Sequence, residues 1–196
     1  MLIFDEVQSG FARTGSWGAM DHYNVIPDLS TWAKSMGSGM PIATVIGKAE
    51  VMDAAAPGTI GGTYIGNPVA CAASLATIQY IKDVKLNERG VEVGNIIRTR
   101  FEAMQTKFPQ IGDVRGLGAM MAIEFVKNGD PRQPDGDLCS KVVKGCAEQG
   151  LIIISAGTYK NNIRVLSPLT ISNDLLNKGL DIIEEEASPY IEDDEQ

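Results

Sequence analysis

Two short apolar runs in this sequence stop abruptly on charged side chains. Leu2-Ile3-Phe4 ends at Asp5-Glu6, and Leu29-Ser30-Thr31-Trp32-Ala33 ends at Lys34. Runs of this length bounded by turn residues read as buried strands, and Pro27-Asp28 supplies the turn before the second. Polar residues that follow a buried strand lie at the carboxyl edge of a sheet, where α/β proteins place ligands. A strand this close to residue 1 also implies further sheet upstream, because a domain seldom starts in the middle of its sheet. Acidic residues often do no more than open a loop, so Asp5 and Glu6 alone leave both readings open.

The rest of the chain alternates in the same manner. Gly10 to Gly15 reads as loop, Trp17 to Tyr23 as a short helix, and Ile42 to Ile46 as a third strand leading to a helix near Lys48. Residues 58–66 are glycine-rich. A helix follows from Pro68 to about Asp83, and a second from Leu86 to Phe108. Asp113 to Gly118 reads as a turn-rich strand start, Ala119 to Val126 as a strand, and Leu138 to Gln149 as a helix that Gly150 terminates. Leu151–Ser155 and Asn162–Leu166 read as strands, and a last helix starts at a capping Ser172 or Asn173. The expected organisation is residues 1–83 as sheet and helix segments of a larger domain, 84–109 as a connecting helix, 110–190 as a small α/β domain, and 191–196 as an acidic tail.

Composition narrows the partners. The net charge of −8 is concentrated late, at Glu184-Glu185-Glu186 and Glu192-Asp193-Asp194-Glu195, a pattern typical of a solvated end. No basic stripe with interleaved aromatics suggests nucleic acid. No apolar run approaches the roughly 20 residues of a membrane helix, and no signal peptide precedes the first strand, so the expectation is a cytoplasmic protein with neither nucleic-acid nor membrane partner. Three cysteines, Cys71, Cys139 and Cys146, without Cys-x-x-Cys spacing point to buried reduced thiols rather than to disulfides or zinc. His22, the only histidine, reads as a surface or capping residue.

Four features can carry chemistry. Asp5-Glu6-Val7-Gln8 sits at a strand end. Lys34 follows an apolar run and precedes Ser35-Met36-Gly37-Ser38-Gly39-Met40-Pro41. Partial desolvation there would make its amine a better nucleophile, and the glycines let backbone approach a ligand closely. Gly61-Gly62-Thr63-Tyr64 could bind phosphate through backbone N–H groups and a hydroxyl, or be only a tight loop. Arg164 lies in Asn162-Ile163-Arg164-Val165-Leu166. On a strand it shares a face with Leu166, while Ile163 and Val165 take the other. Its planar fork suits a carboxylate, either a structural partner or a bound anion. Pyridoxal phosphate (PLP) chemistry needs a lysine for a Schiff base, a carboxylate beside the pyridine nitrogen and an anion cradle. Transamination adds a cation for the substrate carboxylate. The chain offers each role once.

At these residues the sequence resembles the class III aminotransferases, and within them those acting on 4-aminobutyrate. The similar stretches are Asp5-Glu6-Val7-Gln8-Ser9-Gly10 with Arg13-Thr14-Gly15, Pro27-Asp28-Leu29 to Ala33-Lys34-Ser35, Gly39-Met40-Pro41, Gly61-Gly62-Thr63-Tyr64 through Gly66-Asn67-Pro68, Gly112-Asp113-Val114-Arg115-Gly116-Leu117-Gly118 and Ile163-Arg164-Val165-Leu166. The resemblance implies an aspartate-aminotransferase-like, fold type I PLP-transferase: part of the large domain plus the small C-terminal α/β domain, with the family's N-terminal half absent. It implies that Lys34 bonds PLP and later moves a proton. Asp5 pairs with the pyridine nitrogen, Gln8 with the phenolic oxygen, and Val7 packs on the ring. Thr63 binds phosphate across the interface of a homodimer, and Arg164 holds the carboxylate of glutamate or 2-oxoglutarate. The implied reaction moves the amino group of 4-aminobutyrate, or a related ω-amino acid, to 2-oxoglutarate, with little turnover by the isolated chain. The alternatives are a non-catalytic remnant or subunit-like module, or another class III activity such as that on ornithine.

Overall fold

The computed structural model describes residues 1–190; the expected tail, 191–196, lies outside the described residues, and with it Glu192 to Glu195 of the acidic cluster. The chain divides into two compact units, one from Met1 to Gly90 and one from Val91 onward.

The first unit is built on a three-stranded sheet of order β1-β2-β3, formed by β1 (Ile3–Asp5), β2 (Leu29–Trp32) and β3 (Thr44–Gly47). β1 runs parallel to β2, with Ile3 opposite Leu29 and Asp5 opposite Thr31. β3 is antiparallel to β2 and pairs Trp32 with Thr44. Parallel neighbours bring the carboxyl ends of β1 and β2 to the same sheet edge. On β2, Ser30 and Trp32 are buried, and the indole N–H donates to Ser30 Oγ at 2.8 Å. Phe11 packs edge-on to both Trp17 and Trp32, at centroid distances of 6.2 and 5.8 Å. These aromatic contacts hold the long β1–β2 connection down on one sheet face.

The opening strand departs from its expected burial. Leu2 and Ile3 are exposed, Ile3 by 55%, and only Phe4 is half-buried. Among the described residues β1 is an edge strand paired with β2 alone, so its apolar side chains meet too few neighbours to leave water. β3 begins at Thr44 rather than Ile42, three residues beyond Pro41, which has no N–H for a ladder. The helix near Lys48 is a single turn, α1 (Ala49–Met52).

α2 (Pro68–Asp83) starts where its sequence signals place it. Asn67 Oδ1 accepts from Val69 N at 3.0 Å and Ala70 N at 3.2 Å, and Pro68 occupies the first turn, where its missing N–H costs nothing. α2 packs against the 3₁₀ turn Lys34–Gly37, so the lysine-bearing turn is backed by a helix.

In the second unit, α3 (Leu86–Lys107, entering from the first unit), α4 (Gly136–Glu148) and α5 (Asn173–Ala187) accompany a four-stranded antiparallel sheet of order β4-β5-β7-β6. Its strands are β4 (Ile111–Leu117), β5 (Met120–Phe125), β6 (Ile154–Ala156) and β7 (Asn162–Val165). β5 shows the strand alternation plainly: Met121, Ile123 and Phe125 are buried, while Met120, Ala122 and Glu124 are half-buried. The core joins these to Val93, Ile97, Phe101 and Met104 of α3, Val142 and Cys146 of α4, and Leu180 and Ile183 of α5. α5 is capped by Ser172, whose Oγ accepts from Leu175 N at 3.3 Å. Two expected strands are redrawn. Residues 111–125 form a hairpin, with β4 starting already at Ile111 and running through Gly112 and Gly116. Pairing with β5 overrides the poor strand propensity of glycine. β6 is shifted to Ile154–Ala156, because Leu151 N still donates to Cys146 O at the end of α4.

α3 and α5 are tied at the surface by Arg100 to Glu184 (2.6 Å), Arg100 to Asp181, and Lys107 to Glu184 (2.7 Å). Hydrogen bonds from Lys107, and then from Arg100, hold the Glu184 carboxyl below its ordinary range. A carboxyl depressed in the folded state adds stability that is present above its unfolded value and lost as pH falls through the folded one. Glu184→Gln is therefore expected to cost about 1 kcal/mol or less at pH 7. Thermal melts of variant and parent should converge as pH drops below the ordinary carboxylate range.

Cys139 and Cys146 are buried, and Cys71 is half-buried rather than buried as expected. Burial pushes the thiols of Cys139 and Cys146 up to about 11. Since the thiolate is the reactive form, alkylation at pH 8 should spare both until the chain unfolds; their rapid modification in the folded protein would contradict this packing.

Candidate active site

Asp5 is the last residue of β1, and Lys34 follows β2 by two residues. The parallel register puts both at one sheet edge. Asp5 Oδ1 accepts from Val7 N at 3.0 Å and from Thr31 Oγ1 at 3.2 Å. Thr31 stands directly opposite on β2, so the carboxylate is oriented by its own loop and by the neighbouring strand. The Asp5 side chain is exposed at this edge.

Lys34 adopts the left-handed conformation, φ 51°. A residue with a Cβ is held there at a cost of roughly 1–2 kcal/mol, and such strain gathers at functional positions. Ala33 before it is extended, and Met36 N and Ser38 N close the turn onto Ala33 O and Ser35 O, each at 3.2 Å. Gly37 is buried against Ile42; a Cβ there would lie 2.7 Å from Ile42 Cγ2. The expected partial desolvation of Lys34 is not found: its side chain is exposed, because α2 backs the turn and not the amine. Lys85 and Lys160 share the left-handed backbone, at φ 52° and 53°, so what sets Lys34 apart is its place beside Asp5 at the carboxyl edge of the β1–β2 pair.

Val7 and Gln8 lie half-buried on the loop that leaves β1, beside Asp5. Thr63 is exposed on the separate loop before α2. Arg164 belongs to the second unit. It sits on β7 opposite Ala122 of β5 and Ile154 of β6, half-buried, while Ile163 and Val165 point into the core. Its alternation is the one its sequence context requires. Arg164 also lines a largely apolar cavity of about 490 Å³ with Ile152, Ile154, Leu166, Leu175 and Lys178.

Three residues of the quoted motifs have roles that the sequence reading does not assign. Thr31 orients Asp5. Glu6 is almost completely buried beneath the loop. Arg115 binds Asp113 and Glu124 at 2.7 and 2.5 Å and Asn162 Oδ1 at 2.6 Å, fastening β4 and β5 to the strand that bears Arg164. The period-two rule contains the signal for Glu6, since residues adjacent on a strand face opposite ways. His22 behaves as a surface residue, its Nε2 lying 2.9 Å from Thr14 O.

The sequence profile of the aminotransferase class-III family matches residues 1–186. The chain is 48% identical over 184 residues to a probable 4-aminobutyrate aminotransferase of Bacillus subtilis, covering 94% of this chain and 42% of that protein. It is 50% identical over 185 residues to a 5-aminovalerate aminotransferase of Pseudomonas aeruginosa, with 94% and 43% covered. Among solved structures, an aminotransferase from Bacillus anthracis superposes with a TM-score of 0.88 at 30% identity, over 95% of this chain and 44% of that one. The chain thus spans less than half the length of these relatives, and its fold is a partial fold type I PLP-transferase. Profile, sequence relatives and superposition agree: this chain belongs to the class III aminotransferases.

Proposed function

We propose that this chain carries the lysine-bearing part of a PLP-dependent aminotransferase that moves the amino group of 4-aminobutyrate, or a related ω-amino acid, to 2-oxoglutarate. One observation supports it most: Asp5 and a strained Lys34 share one sheet edge. The donor set fits PLP, with a carboxylate for a protonated ring nitrogen, an amide at Gln8 for a phenolic oxygen and a primary amine for an aldehyde. When bound, PLP supplies the electron sink that makes an amino group transferable. Lys34 Nζ holds the cofactor and afterwards accepts and returns a proton. Asp5, pre-oriented by Val7 N and Thr31 Oγ1, keeps the ring nitrogen protonated, and Val7 packs beside the ring. Thr63, on its exposed loop, binds phosphate in a neighbouring subunit of a homodimer. Arg164 anchors the carboxylate of the dicarboxylic partner, its fixed fork matching two oxygens. The names of the relatives, for four- and five-carbon ω-amino acids, support the substrate class. Glutamate formation from 4-aminobutyrate and 2-oxoglutarate, lost on Lys34→Ala, tests the proposal; a chain holding PLP on Lys34 that forms glutamate from other amines but not from four- or five-carbon ω-amino acids would contradict the substrate assignment.

The exposed apolar residues Leu2 and Ile3 on the edge strand favour a second reading, a module that acts with a complementary chain. An open apolar edge is a template for strand pairing. In that case the isolated chain turns over weakly, and activity appears on adding the complement.

A further inference from the structure

Glu6 is a carboxylate only 2% exposed, between Asp5 and Val7. A buried carboxylate is tolerated where hydrogen bonds replace its water, and this one is well supplied. Ser9 Oγ donates to Oε2, Ala19 N donates to Oε2 at 2.9 Å, and Met20 N donates to Oε1 at 2.8 Å. The last two are the first amides of the 3₁₀ turn Ala19–Tyr23. The backbone of Glu6 is engaged as well: its N–H donates to Thr31 O at 2.9 Å, and its carbonyl accepts from Gly10 N at 3.0 Å.

One residue therefore joins four things: the end of β1, the end of β2, the turn at Ser9-Gly10 and the start of the 3₁₀ turn ten residues on. The surroundings are closely fitted. A Cβ at Gly10 would lie 2.6 Å from the Trp32 ring, and one at Gly18 would lie 3.1 Å from Glu6 Oε1. The loop under tension here includes Phe11 and Ala12, both in the left-handed region at φ 54° and 69°. Val7 and Gln8 fall inside the span that Glu6 clamps at both ends.

We propose that Glu6 is a positioning residue of the cofactor site: its buried carboxylate fixes the β1 loop so that Asp5 and Gln8 are presented together at the edge where Lys34 stands. The inference rests on the PLP assignment above and adds to it a residue that does not touch the cofactor. Glutamine at this position keeps the shape but replaces one acceptor oxygen with an NH₂ group, so at least one of the three donors loses its partner.

The test compares the parent chain with Glu6→Gln and the milder Ser9→Ala. Each is mixed with PLP, its visible spectrum recorded, and the complex reduced with borohydride for peptide mapping. Circular dichroism and amide hydrogen exchange without PLP report the fold and the loop. With secondary structure retained, Glu6→Gln should expose Ala19 and Met20 to faster exchange, raise the PLP concentration for half-labelling of Lys34 about tenfold and displace the absorption band of the bound cofactor. Ser9→Ala should move all three readouts the same way, by less. Unchanged half-labelling and band in both variants, with Lys34 labelled in the parent, would overturn the positioning role alone. If Glu6→Gln does not fold, Ser9→Ala decides by the same criteria. No preference for Lys34 in the parent would remove the cofactor assignment and the positioning role with it.

Discussion

Replacing Lys34 with glycine is expected to abolish covalent capture of PLP and, at the same time, to stabilise the protein by about 1 kcal/mol. The two effects have one origin. Lys34 holds φ 51°, a conformation that glycine adopts without penalty, and its exposed side chain contributes nothing to the core. In the proposed function the amine is the group that bonds PLP, so its removal would take away that nucleophile. Lys34→Ala serves as control, losing the adduct equally while keeping the strained backbone and gaining no stability. Denaturant titration and the visible spectrum of PLP-treated protein measure both quantities. A glycine variant less stable than its parent would mean that the turn is not strained. Stability exchanged for activity at one residue is the usual mark of a functional position.

Phe101→Ala should be the most damaging single truncation in the second unit. Phe101 is fully buried on α3, which contributes Val93, Ile97 and Met104 to the same core. Deleting a buried ring costs roughly 3–5 kcal/mol, comparable to the lower end of a small domain's whole stability. For a unit of this size a loss of that order lowers the unfolding midpoint by roughly 15 °C or more. Calorimetry of the variant is the check, and a shift of only a few degrees would mean that the core is not packed as described. Because Arg164 is carried by the sheet of this unit, its presentation should fail with the fold, whereas capture of PLP by Lys34 in the first unit persists below the transition.

What could be read in the sequence depended on how local the determining physics is. Helix ends are local, and Asn67-Pro68, Ser172 and Gly150 mark them at the positions where the chain caps or leaves its helices. The alternation around Arg164 is local as well. The β4–β5 hairpin was harder, because Gly112 and Gly116 signal turns and only long-range pairing makes them strand. Leu2 and Ile3 look like core by composition, yet burial depends on neighbours, and among the described residues β1 pairs with one strand. At the candidate site, Asp5 and Lys34 could be named from their place after apolar runs. Their convergence on one edge needed the parallel register. The clamp at Glu6 needed amides thirteen and fourteen residues away, a spacing with no sequence period. The strain at Lys34 is a backbone property that its residue type conceals.

The most direct test of the central claim is borohydride reduction of the purified parent chain with PLP, followed by peptide mapping of every lysine. A pyridoxyl label confined to Lys34 is the expected result. Labels scattered over surface lysines such as Lys82, Lys144 and Lys178, with Lys34 no richer than the rest, would contradict it.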